Sequence, residues 1–423
     1  MPRAFHLIAC MLLLSIPVAI ARDPVPAKVL LTGFPYHIEN VAGWLESDPM
    51  MDPRQVPSRT HLTTLQGSDI QRFIRLYFPR TYEDLLEYEY IMLLVIEVAS
   101  FTQQQQRWMY DAIRDAGIPA ISDRSVMSMA EYIAHEWADS ELALAFPNDA
   151  PAVVSQNPFS FNNRLFRYVI NTHPQVAPVF TPYKDFEGVE TTHLIGTTCI
   201  MIPKEGAVAA SYIIGDLPQG SPGAYPHPDF KSRGMFPHTL YWEFGNATTW
   251  THTDMTGGDL YWNPAQNPYS LDMLMSEFMF AAGWELPTDV VLVHNLRSRF
   301  STFLATRGYI YSILDFIDKF GASTAPVVGD MKSIAERADE GRRQYLRQEY
   351  GDSYSTMEVA VAEMEALRSD AIRLKDQALL WVYVVEYISV TGIFLLSGFV
   401  LWTLMVRRSL YREVSVTRLS DKE

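Results

Sequence analysis

From residue 27 to about 203, short apolar runs alternate with helical patterns, the order that strands and helices take in an α/β sheet. Lys28-Val29-Leu30-Leu31-Thr32-Gly33 predicts a first strand ending on glycine. Tyr90-Ile91-Met92-Leu93-Leu94-Val95-Ile96 is apolar on both faces, as a central parallel strand covered by helices should be. Gly117 to Ser122 predicts a third, shorter strand. Between the last two lies a helix over 102–116, with Trp108, Ile113 and Ala116 at helical spacing, Thr102 placed to cap its start and Gly117 to stop it. After Asp149 the pattern lengthens into strands over 192–203 and 207–215. It then gives way to a Pro-, Gly- and aromatic-rich stretch, 217–264, which reads as long loops. Asn267-Pro268 opens a helix to Trp284, with Leu271, Leu274, Phe278 and Phe280 available for the core.

From Leu296 onward the pattern is helical throughout, in roughly three segments. Ser355-Thr356-Met357-Glu358 is a capping box that predicts the start of the last one. Met357, Met364, Ala371 and Ala378 then share one heptad position, and Ala360, Leu367, Leu374 and Trp381 the other. A stripe so short and alanine-rich predicts packing against its own chain, near 331–350, in preference to an intermolecular coiled coil. No proline intervenes, so this helix is expected to run unbroken into Tyr387 to Val406, about 20 uncharged residues, the length that crosses hydrocarbon.

The two ends define a topology. Arg3, the apolar run Leu7 to Ile20 and Ala19-Ile20-Ala21 form a signal-peptide pattern, and Arg407, Arg408 and Arg412 follow the apolar segment at the other end. The expected organisation is a signal peptide (1–21), an extracytoplasmic α/β domain (22–290), a helical stalk (291–379), a single transmembrane helix (380–406) and a cytoplasmic tail (407–423). Cys199 is then the one cysteine of the mature chain, so an intrachain disulfide is excluded and the domain must rely on a large core. A formal net charge of -15 works against phosphate binding and excludes nucleic acid as a partner.

Val29-Leu30-Leu31-Thr32-Gly33, the segment Tyr82-Glu83-Asp84-Leu85-Leu86-Glu87-Tyr88 and the helix Phe101-Thr102-Gln103-Gln104-Gln105-Gln106-Arg107-Trp108 resemble the putative glutamine-amidotransferase-like domains of the class I amidotransferase superfamily. The likeness covers 27 to about 138. It implies a flavodoxin-like three-layer α/β domain, here carrying extra β-rich and loop insertions. Active members place a nucleophilic Cys on a tight strand-to-helix turn flanked by glycines, where backbone amides can stabilise an oxyanion. This chain has Ser122-Asp123-Arg124-Ser125-Val126 at the corresponding place, and Cys199 reads as the interior of a strand. Glutaminase chemistry is excluded.

In such sheets ligands bind beyond the carboxyl ends of the strands, which gathers Glu97, Asp123, Arg124 and Ser125. Ser125 is a candidate nucleophile with His252 as base and Asp254 or Glu97 in support, although Ser125 is equally placed to cap a helix. His227, Asp229, His238, His252 and Asp254 are imidazoles and carboxylates within one stretch, at spacings that match no metal motif; no cofactor is implied. Trp242, Trp250, Tyr261 and Trp262 offer stacking surfaces for a glycan or a protein partner, or else anchor loops to the sheet. Asn246-Ala247-Thr248 is a glycosylation sequon. The expectation is a non-catalytic, membrane-anchored binding or assembly subunit of an envelope complex. The alternatives are a membrane-tethered hydrolase using Ser125 or a metal near His252, and an accessory subunit of a transporter.

Overall fold

The structure, a computed structural model, describes residues 25–60, 64–123, 136–149, 164–195, 201–214, 235–254, 256–257, 261–320 and 323–420. They divide into two compact units, Met1–Phe300 with Gly341–Tyr354, and Ser301–Glu340 with Ser355–Glu423.

The first unit is an α/β domain. Its elements are β1 (Ala27–Gly33), α1 (Pro35–Ser47), β2 (Met51–Pro57), α2 (Gly67–Tyr77), α3 (Tyr82–Leu85), β3 (Tyr90–Leu94), α4 (Gln103–Arg114), β4 (Ala120–Asp123), β5 (Asn148–Asp149), β6 (Arg164–Ile170), α5 (Ala177–Phe180), β7 (Thr192–Ile195), β8 (Ile202–Pro203), β9 (Val208–Ile214), β10 (Met235–Phe244), β11 (Ala247–His252) and α6 (Ser270–Ala281). Among the described residues nine strands make one mixed sheet in the order β2-β1-β3-β4-β11-β10-β9-β6-β7. The first five are mutually parallel and the last four join antiparallel. β5 and β8 pair separately.

Strands β1, β3 and β4 and helix α4 stand where the sequence pattern puts them. Thr102 caps α4 by accepting from the Gln105 amide at 3.2 Å, with Gln105 reaching back in a capping box. Alternation along the strands separates two faces: Leu30, Ile91, Leu93 and Ala120 pack with Ile70 and Ile74 of α2 and Met109 and Ile113 of α4. The alternate residue Tyr90 packs its ring on Phe278 of α6, centroids 4.6 Å apart. β2 is an edge strand, which is how it accommodates Pro53.

The stretch 217–264 corrects the sequence reading. Residues 235–252 are not loop: β10 and β11 form a hairpin at the middle of the sheet, closed by the two-residue turn Gly245-Asn246 with Gly245 at φ 59°, while the described residues from 253 to 264 are turns and bends. Residues 215–234 lie outside the described residues, as does Cys199.

The long helices follow as α7 (Val290–Asp318), α8 (Ala325–Leu346) and α9 (Tyr350–Ser420). In the second unit they pack together through Phe303, Ile310, Ile313 and Ile317 of α7, Met331, Ile334 and Ala338 of α8, and Met357, Ala360, Met364, Leu367 and Ala371 of α9. Six of the eight heptad positions are thus buried within the chain, while Leu374 is partly buried and Trp381 is exposed. The last helix starts at Tyr350, about one turn before the capping box at Ser355. Beyond Ala378 no apolar side chain of α9 out to Leu410 is buried and most are exposed, and among the described residues this one helix is long and apolar enough to cross a membrane.

Candidate functional site

The carboxyl ends of the parallel strands carry a set of buried polar groups. Gly33, at φ 149°, ends β1 where a side chain would run into the Leu94 carbonyl, so β1 and β3 close on each other there. Immediately after Leu94, Val95 adopts φ 58°, a left-handed conformation that is sterically costly for a β-branched residue. That turn serves two neighbours: the Val95 amide supports Asp123, the last residue of β4, and the Val95 carbonyl lies 3.5 Å from Nη1 of the buried Arg59. Asp123 also accepts from the Thr256 amide at 3.2 Å. Burial raises the Asp123 carboxyl well above its ordinary value, and the nearby Asp254 adds to the rise. Glu97, after β3, accepts from the amide and hydroxyl of Thr60 at 3.2 and 3.3 Å.

Next to this edge the β9-β10-β11 strands and α6 hold a second, fully enclosed network. His238 of β10 bonds through Nε2 to Asp254 Oδ1 at 2.8 Å and through Nδ1 to Ser211 Oγ of β9 at 3.0 Å. Tyr168 of β6 donates to the other Asp254 oxygen at 3.1 Å. His252, at the end of β11, bonds through Nε2 to Glu277 of α6 at 3.0 Å and through Nδ1 to Thr256 at 2.9 Å. Trp262 stacks on His252 with centroids 4.1 Å apart, and Tyr261 stacks on Tyr168 at 3.9 Å. His238, His252, Asp254 and Glu277 are 0% exposed and Ser211 is 2% exposed. Burial pushes Asp254 up, but the charge and hydrogen bond of His238, with His252 and the Tyr168 hydroxyl, outweigh it and hold the carboxyl below its ordinary value. Glu277 goes the other way: burial raises it, and His252 offsets that only in part.

The structure therefore separates residues that the sequence grouped and groups residues that it separated. Asp254 supports His238, not His252, whose carboxylate is Glu277. Glu97 and Asp123 lie at the expected edge, while Arg124, Ser125, His227 and Asp229 lie outside the described residues. Trp250 and Trp262 are 0% exposed and Tyr261 1%, so these three are packed inside and present no stacking surface to solvent. Trp242 is half-buried, with Lys204 5.2 Å from its ring centroid. Asn246 is exposed at the hairpin turn and donates to the Asp115 carbonyl at 2.9 Å. Among the described residues no group of three or more His, Cys, Asp or Glu side chains is placed to hold a metal ion.

The reading of the sequence missed Ser211, Tyr168, Glu277 and Arg59. Glu277 had a signal: one carboxylate inside the apolar run Met273-Leu274-Met275-Ser276-Glu277-Phe278-Met279 needs a buried partner. It also missed a second buried cluster, in which Arg297 donates to Asp48 at 2.7 Å and to Asp272 at 2.6 Å while Tyr345 donates to Asp48 at 2.8 Å. That cluster ties the first turns of α7 and the last turn of α8 to α1 and α6, a structural role.

No protein-family model matches this chain, and no curated protein shows significant similarity to it.

Proposed function

We propose that this protein is a non-catalytic, membrane-anchored binding or assembly subunit of an envelope complex, displayed outside the cytoplasmic membrane on a helical stalk. One observation carries the reading. Among the described residues, the set that brings a hydroxyl, imidazoles and carboxylates together, Ser211, His238, Asp254, His252 and Glu277, is spent on itself inside the core, with at most 2% of any of them exposed. A nucleophile and base need a cleft in which a substrate atom can reach both. A scaffold needs only that the buried polar groups be satisfied, and these are.

The parallel strand order β2-β1-β3-β4-β11 is that of flavodoxin-like sheets, which supports descent of the domain from the amidotransferase-like class. Ser122 and Asp123 occupy the end of β4, where that class would carry its cysteine, and Ser122 is engaged with Thr251 at 3.0 Å. The exposed apolar surface of α9 beyond Ala378 supports the anchor, and the arginines after Val406 support an inward C-terminus. Protein partners are then the expected ligands, with a glycan as an alternative.

The test is chemical crosslinking of the full chain in native membranes, followed by co-purification in mild detergent. A fixed set of envelope proteins should accompany the chain in constant ratio, and a fluorophosphonate probe should leave it unlabelled. A covalent adduct on Ser125 or Ser211 would return the hydrolase reading, and recovery of the chain alone would remove the assembly role.

A further inference from the structure

The buried part of the three-helix unit ends on all three helices within about a turn and a half of helix. The last buried residue of α7 is Ile317, the first of α8 is Val327, and the last of α9 is Ala378. Two side-chain contacts fix the register. Thr306 of α7 donates to Glu365 of α9 at 3.0 Å, an offset of 59 residues, and Arg337 of α8 meets Glu363 at 3.4 Å. Only six residues separate Asp318 from Ala325 and three separate Leu346 from Tyr350, so packed neighbours in this order alternate in direction and α7 runs the same way as α9. Carrying the offset of 59 down the pair sets Phe320 level with Leu379.

That level is where α9 turns apolar on every side. Leu380 is 62% exposed, Trp381 69% and Tyr383 65%, while Phe320 at the tip of the α7–α8 hairpin is 43% exposed. Phe320 and Phe316 pair their rings at 4.8 Å, and Lys319 beside them is paired with Asp315 at 2.8 Å. The segment 380–406 is about 40 Å long as a helix, the thickness of a bilayer together with its headgroup layers.

We propose that the tip of the α7–α8 hairpin is a second membrane contact: Phe320, backed by Phe316, rests in the headgroup layer of the leaflet that α9 enters. The proposal rests on reading 380–406 as membrane-spanning. Its occupant is a lipid surface because the register sets Phe320 at the level where the apolar part of α9 begins, within two residues of Trp381, a side chain suited to that interface. Asp315 and Asp318 near the tip favour zwitterionic over anionic lipid. A helix anchored at one point is free to tilt; a second contact beside it holds the bundle upright.

Spin labels test this. The full chain with Cys10 and Cys199 replaced by serine is placed in phosphatidylcholine nanodiscs, and single labels are put at Phe320→Cys, Ser323→Cys, Leu395→Cys and Lys332→Cys. Ser323→Cys keeps both phenylalanines, so loss of the aromatic itself is controlled for. The ratio of oxygen to nickel-chelate accessibility should be highest at 395, lowest at 332, and several-fold above 332 at both 320 and 323. A label at 395 in hydrocarbon with 320 and 323 as wet as 332 overturns the second contact and leaves the anchor standing. Water at all four overturns both. Shielding at 320 that vanishes at one chain per disc assigns the tip to another copy of the chain and likewise overturns the proposal.

Discussion

The two halves of the sheet solve the same problem with different chemistry. In β1, β3 and β4 the buried interior is apolar, Leu30, Ile91, Leu93 and Ala120, and apart from Thr32 and Ser122 the polar groups gather at the carboxyl edge, with Asp123 as the last residue of β4 and Arg59 and Glu97 beyond the strands. In β9, β10 and β11 the strands themselves carry Ser211, His238, Thr239, Thr249, Thr251 and His252, all buried. The first half is held by area removed from water, which tolerates local loss. The second depends also on paired donors and acceptors, each of which becomes a penalty once its partner goes. β11 belongs to the first half by its parallel pairing with β4 and to the second by its side chains, so the boundary runs through it.

The largest break in this contrast is expected at the aromatic lid of the polar half. Trp262→Ala empties a fully buried site against His252 and should cost about 3–5 kcal/mol, read as a fall in the urea midpoint with the slope unchanged. A substitution that leaves stability intact while weakening partner capture would restore Trp262 as a contact residue.

Asp254→Ala should come next, at about 3–5 kcal/mol, because His238 Nε2 and the Tyr168 hydroxyl lose their shared acceptor inside the core. Leu93→Ala in the apolar half should cost a similar amount, about 2–5 kcal/mol. What separates the two is pH. Folded Asp254 sits below its ordinary pKa, so the stability it lends is complete above the ordinary carboxylate range and is lost as pH falls through the lowered value. The Leu93→Ala loss should be the same at every pH, and the Asp254→Ala loss should shrink in acid.

Glu277 and Asp123 have the opposite sign. Burial raises both, so each withdraws stability as pH climbs from about 4 through its raised value. Glu277→Gln should therefore flatten the decline of the midpoint on the neutral side of that range while costing stability at lower pH. An unchanged profile would mean that Glu277 titrates as it does in the unfolded chain. The smallest effect is expected at Trp242→Ala, where a half-buried ring and one Lys204 contact contribute about 1 kcal/mol, and any larger loss would extend the dense core past β10.

The apolar half was legible in the sequence because area leaves a periodic trace. The double-sided run at β3 and the Thr102 cap of α4 are local patterns, and the structure keeps both. The polar half was not legible, because its logic is pairwise and non-local: Ser211 and His238 are 27 residues apart, Tyr168 and Asp254 are 86 apart. The β10–β11 hairpin was missed although the β-favouring runs Leu240-Tyr241-Trp242 and Thr248-Thr249-Trp250 flank Gly245-Asn246, a hairpin signature outweighed by the prolines and glycines on either side. The start of α9 was placed at Ser355 because the capping box there is stronger than anything at Tyr350, and packing extended the helix past it.

Helix α9 runs for 71 residues without a proline, about 107 Å of continuous hydrogen-bond ladder. Such a rod carries an angular phase as well as a length. One residue inserted after Leu380 would leave the buried packing above it untouched, yet lift everything above by about 1.5 Å and turn it by about 100° against the apolar segment below. Two insertions turn it by about 200°, and within the series only seven bring the azimuth nearly back, about 20° short of two full turns, at a height about 10.5 Å greater. A series of insertions from one to eight therefore reads out two quantities on one helix. A role that depends on which way the molecule faces should oscillate along the series, and one that depends on reach alone should drift monotonically.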